Sequence, residues 1–140
     1  RKQTIKPQGY IYVIHPHLLD GFNYVNNHFS DTAKIAYSGF GPHSPLYGPM
    51  LSREVDYINV NNCPDCIYHD YKTEPESILV NANFEDWWSN LNYHQKEFLF
   101  VGEMFDWSPN YEKIWAESNP DKFEKIYDKG RVQIYNITLE

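Results

Sequence analysis

Hydrophobic positions change their period several times along the 140-residue chain, and each change predicts an element. Leu18, Phe22, Val25 and Phe29 recur at helical spacing, which predicts an amphipathic helix over 17–29 in spite of Gly21, closed by Ser30-Asp31. Alternation then takes over: a strand is expected at 33–38 and a second at 55–60, where Val55, Tyr57 and Ile58 interleave with Asp56 and Asn59. Asn83 is placed to cap a helix whose buried face is Phe84, Trp87, Trp88 and Leu91, with Asp86 in the position of a capping-box acid. The unbroken apolar run at 98–101 suits a strand covered on both faces. Ser108-Pro109 reads as a cap followed by proline at the first helical position, ahead of the stripe Tyr111, Ile114 and Trp115. Apolar runs at 123–127 and 132–137 flank Asp128-Lys129-Gly130-Arg131, a hairpin signal.

Helices alternating with strands before a terminal hairpin imply an α/β fold: one three-layer Rossmann-like domain over 1–140, its sheet mixed but mainly parallel, with helices on both faces. Residues 1–16 are expected as a linker or edge segment, extended in character at 10–14, and 61–80 as an irregular excursion rich in polar residues. No repeat or low-complexity tract interrupts the pattern.

The first strand empties into Ser38-Gly39-Phe40-Gly41-Pro42-His43-Ser44-Pro45-Leu46-Tyr47-Gly48, and strand-to-loop junctions of this kind are where α/β proteins build sites. Gly39, Phe40, Gly41, His43 and Tyr47 are therefore ligand-binding candidates, with Trp107 as an outlying ring. A phosphate cradle is disfavoured, because the third glycine of the dinucleotide fingerprint is missing and Pro42 and Pro45 stiffen the loop.

Composition narrows the field. A net charge of −7, with no basic run longer than Arg1-Lys2, gives no electrostatic footprint for nucleic acid. Aromatic residues make up 17% of the chain, which suits either a core of bulky rings or a surface that stacks on sugars; Trp88, Trp107 and Tyr47 are the platform candidates, although the spacing of Trp87 and Trp88 fits a core face more simply. Cys63 and Cys66 are spaced for a disulfide, a redox pair or half of a zinc site, and His69 could extend the set to three; no complete metal set and no cofactor motif is present. Glu103, Asp106, Glu112 and Glu117 lie near Trp107 and Trp115 in the manner of a glycosidase pair, a pattern equally common on solvated helices. Neither a Gly-x-Ser-x-Gly elbow nor a His-Glu-x-x-His helix occurs. Asn136-Ile137-Thr138 is an N-glycosylation triplet in the last predicted strand, a place where chance accounts for it readily.

The order of motifs resembles the soluble C-terminal domains of polytopic membrane glycosyltransferases that use lipid-linked sugar donors, of the dolichyl-phosphate-mannose protein mannosyltransferase type. The resemblance is carried by Phe22-Asn23-Tyr24-Val25-Asn26-Asn27, by Ile35-Ala36-Tyr37-Ser38-Gly39 through Ser44-Pro45-Leu46-Tyr47-Gly48, by Val55-Asp56-Tyr57-Ile58-Asn59-Val60, and by Ile114-Trp115-Ala116-Glu117 through Pro120, Phe123 and Ile134-Tyr135. The Cys63 to Cys66 excursion and His43, where relatives carry an aromatic, depart from that pattern. The resemblance implies that the chain, which lacks an initiator Met, is a fragment of an integral membrane protein, exposed on the extracytoplasmic face, with Cys63 and Cys66 joined. It also implies that the catalytic carboxylate lies in a loop between transmembrane helices, so that no catalytic residue is expected here. The expected function is non-catalytic: assisting or positioning a glycan or polypeptide acceptor, with the transmembrane part of the same chain as partner. A free-standing carbohydrate-binding or protein-interaction module is the alternative.

Overall fold

Side chains on a strand alternate between its two faces, and in this protein that alternation divides the hydrophobic residues into two cores. The computed structural model describes residues 16–39, 43–62, 82–102 and 110–140. They form, in chain order, helix α1 (Pro16–His28), strand β1 (Lys34–Ser38), a 3-10 turn (Ser44–Tyr47), β2 (Glu54–Tyr57), α2 (Phe84–Tyr93), β3 (Phe98–Gly102), α3 (Tyr111–Ser118), β4 (Phe123–Lys129) and β5 (Val132–Ile137). The sheet order is β2-β1-β3-β5-β4. β1 pairs in parallel with both β2 and β3, and β5 pairs antiparallel with β3 and β4, so β5 alone runs against the other four.

One face carries Ile35, Val55, Phe100, Val132 and Ile134, covered by Leu18, Phe22 and Val25 of α1 and by Leu46 of the 3-10 turn. The other carries Ala36, Leu99, Val101, Tyr135 and Ile137, covered by Trp87, Trp88 and Leu91 of α2 and Ala116 of α3. This is the expected three-layer α/β arrangement, and it explains the run at 98–101: Leu99 and Phe100 serve opposite cores. Ring stacking seals each layer, Phe22 on Phe100 at 5.4 Å and Trp87 on Phe123 at 5.3 Å. Trp88, 5% exposed, belongs to this core and offers no open face to a sugar.

Three local expectations are corrected. β2 ends at Tyr57, not at Val60, because β1 has no residue beyond Tyr37 in register with it. The chain from Ile58 onward is tied to α2 instead: Asn90 donates to the carbonyls of Asn59 and Asn61, and the Asn83 amide donates to Val60. That last bond also removes the capping box; Asn83 Oδ1 accepts from the Asp86 amide, but the Asn83 N–H is already committed. Finally, the cap of α3 is Asn110, whose Oδ1 accepts from the Lys113 amide at 2.9 Å, so the helix starts later than Ser108-Pro109 suggests; both of those residues lie outside the described residues. The hairpin is as expected and its first strand longer, with Gly130 at φ 60 in the turn.

Two buried cations fix the remaining joints. The Arg53 guanidinium, on a residue 3% exposed, donates to the carbonyls of Ser30, Phe29 and Leu46 and to Asn26 Oδ1, closing the carboxyl end of α1 onto the 3-10 turn. Lys96, fully buried, donates to Glu54 at 2.8 Å and Asp56 at 2.7 Å, pinning the edge strand β2 under the α2–β3 connection.

Candidate functional site at the carboxyl ends of β1 and β3

The chain leaves β1 toward β2 on one side of the sheet and leaves β3 toward α3 and the hairpin on the other. The carboxyl ends of neighbouring strands whose connections diverge are the usual place for a ligand in open α/β sheets. Here the two backbones touch. Gly39 has φ +98, and a Cβ there would lie 1.8 Å from the Gly102 carbonyl oxygen, so the two strand ends approach as closely as only glycine permits.

Opposite parities give the two faces of this end of the sheet unlike side chains. On the α1 face, Tyr37 stacks on His43 with centroids 4.1 Å apart and planes 10° apart, while Tyr47 and Tyr57 stand 6.3 Å from His43 and Tyr37 respectively. Tyr47 is anchored by its hydroxyl, which donates to the Val55 carbonyl at 3.3 Å. Tyr37, His43 and Tyr47 are half-buried. Burial chiefly, then the neighbouring Tyr47 and Asp56, hold the Tyr37 hydroxyl above its ordinary pKa, so it stays protonated and able to donate.

On the α3 face, Ser38, Val101 and Gln133 fall in one row across β1, β3 and β5. Ser38 is 3% exposed and its hydroxyl donates to Asn110 Oδ1 at 3.0 Å, which welds the end of β1 to the cap of α3. Gln133, 3% exposed, donates to Asp128 and to the Gly130 carbonyl. Its buried Oε1 meets no donor among the described residues. Glu112, 1% exposed in the first turn of α3, adds a buried carboxylate where the helix dipole favours negative charge.

Of the residues the sequence singles out, the structure brings His43 and Tyr47 together around Tyr37 and seats Gly39 on Gly102. Phe40, Gly41, Glu103, Asp106, Trp107, Cys63, Cys66 and His69 lie outside the described residues. Glu117 is ion-paired: Lys125 contacts it at 2.7 Å and Tyr135 donates to it at 2.9 Å, and this bonding, Lys125 first, lowers its pKa. Sequence reading missed Ser38, Asn110 and Gln133. The signals were slight: an Asn one place after a proline, and a Gln at an inward position of an apolar strand.

The opposite end of the sheet is different in kind. A groove of about 580 Å³ runs there between Ser30, Thr32, Lys34, Asn92, Glu97 and Glu140, polar and without an aromatic ring. Among the described residues, no group of three His, Cys, Asp or Glu could hold a metal ion, and no helix is long and apolar enough to cross a membrane. No protein-family model, no curated protein and no solved structure matches the chain.

Proposed function

We propose that this chain is a non-catalytic, extracytoplasmic domain of a membrane glycosyltransferase-like protein, and that it holds a glycan or polypeptide acceptor at the carboxyl ends of β1 and β3. The observation that carries the reading is the ring group Tyr37, His43 and Tyr47, half-buried at the carboxyl end of β1. Half-buried rings are surfaces on which the C–H face of a sugar or the side chains of a peptide can stack.

The test is steady-state transfer by the full-length protein carrying Tyr47→Ala. The KM for acceptor is expected to rise roughly tenfold, as loss of one ring contact worth about 1.4 kcal/mol implies, with kcat and the donor KM unchanged. Glycoside turnover by the 140-residue domain alone, abolished in Glu112→Gln, would replace this reading with that of an enzyme. Glycan binding by a domain whose gene encodes no membrane spans would replace it with that of a free-standing module.

A further inference from the structure

We infer that Asn136 is an acceptor for an N-linked saccharide. Asn136-Ile137-Thr138 has the acceptor triplet, and in the fold Asn136 and Thr138 are exposed on either side of Ile137, which is 7% exposed. Neither the Asn136 amide nor the Thr138 hydroxyl is engaged within the described residues. β5 is an internal strand, so an exposed polar side chain on it is unusual and has a local cause. Asn136 shares the α1 face with Val132 and Ile134, but α1 stops at His28, and the next residue, Phe29, stacks on Phe98 at 3.9 Å.

Phe98 is the residue directly across from Asn136 in the β3–β5 ladder, and Glu124 is its partner on β4. Directly paired residues hold their Cβ atoms about 4.5–5.5 Å apart on one face, so the Asn136 amide stands beside the half-buried Phe29–Phe98 ring pair. A first sugar on Nδ2 would rest its apolar face against those rings and project into solvent, compatible with the finished sheet. In the transfer, Nδ2 bonds to the anomeric carbon of a polyprenyl-diphosphate-linked saccharide. The bond from that carbon to the diphosphate oxygen breaks, the diphosphate leaves with the electron pair, and Nδ2 loses one proton to a base of the transferase.

The inference rests on the extracytoplasmic reading, since such donors present their saccharides to acceptors on that side. The experiment is mass spectrometry of the peptide 132–140 from the full chain isolated from native membranes, beside biotinylation of intact cells with a membrane-impermeant lysine reagent. A saccharide mass on that peptide is expected, absent in Asn136→Gln and Thr138→Ala and retained in Thr138→Ser. An unmodified peptide from a domain that the reagent labels would overturn the inference and leave the proposed function standing. A domain that the reagent reaches only after lysis would overturn both.

Discussion

At the scale of single residues, the site depends on what is missing as much as on what is present. Gly39 lets the end of β1 turn against the Gly102 carbonyl, a contact that no residue with a Cβ could make. Gly39→Ala would demand a positive φ of a residue with a Cβ and drive that Cβ into backbone that cannot yield. The expected cost is about 3 kcal/mol or more, read as a lower denaturant midpoint with an unchanged slope. A midpoint within error of the parent would mean that the junction does not form in solution. Arg53 and Lys96 teach the complementary lesson. Both are buried, and their partners come from positions the linear pattern does not connect to them: Asn26 and the Ser30 carbonyl for Arg53, Glu54 and Asp56 for Lys96.

At the scale of elements, periodicity was a good guide wherever one face is buried. α1, α2, β1, β3 and the hairpin fall where Leu18 to Phe29, Trp87 to Leu91, Ile35 to Tyr37, the run at 98–101 and Gly130 place them. It failed where a long-range bond outweighs the local signal. β2 stops short because α2 captures the following carbonyls, and α3 takes Asn110 as its cap because Ser38, 72 positions away, donates to the same oxygen. The site was legible in the same uneven way. The loop after β1 announced itself through its glycines and rings, whereas the pairing of Ser38 with Asn110 has no local trace.

The joint between α3 and β4 carries a pH signature. Lys125 bonds Glu117 and Asp128, and the pKa of Glu117 is lowered by Lys125 first, that of Asp128 by Gln133 and then Lys125, while that of Lys125 is raised by Glu117 first. Carboxyl values depressed by folding contribute stability that is present above the unfolded carboxylate range and lost as pH falls through the folded values. The raised lysine contributes below its unfolded value and loses that contribution as pH rises through the folded one. Lys125→Met should therefore cost little near neutrality, within about 1 kcal/mol for so exposed a group, and flatten the loss of stability between about pH 6 and about pH 3. Parallel curves for parent and variant would show that the cluster is not coupled to folding.

At the scale of the whole molecule, the fold has two distinct ends. The amino ends of β1 and β3 present the polar groove of Lys34, Asn92, Glu97 and Glu140, and the carboxyl ends present Tyr37, His43 and Tyr47 over the Gly39–Gly102 contact. The net charge of −7 gives neither end a field that attracts polyanions. The proposed binding site lies at the carboxyl end. The direct measurement is amide chemical-shift mapping of the 140-residue domain during titration with mannose oligosaccharides and with serine- and threonine-rich peptides. Shifts concentrated at Ser38, Gly39, His43 and Tyr47, weakened by Tyr47→Ala, are predicted for at least one of the two ligand classes. Shifts confined to 30–34 and 92–97, or none with either ligand at millimolar concentration, would contradict the account.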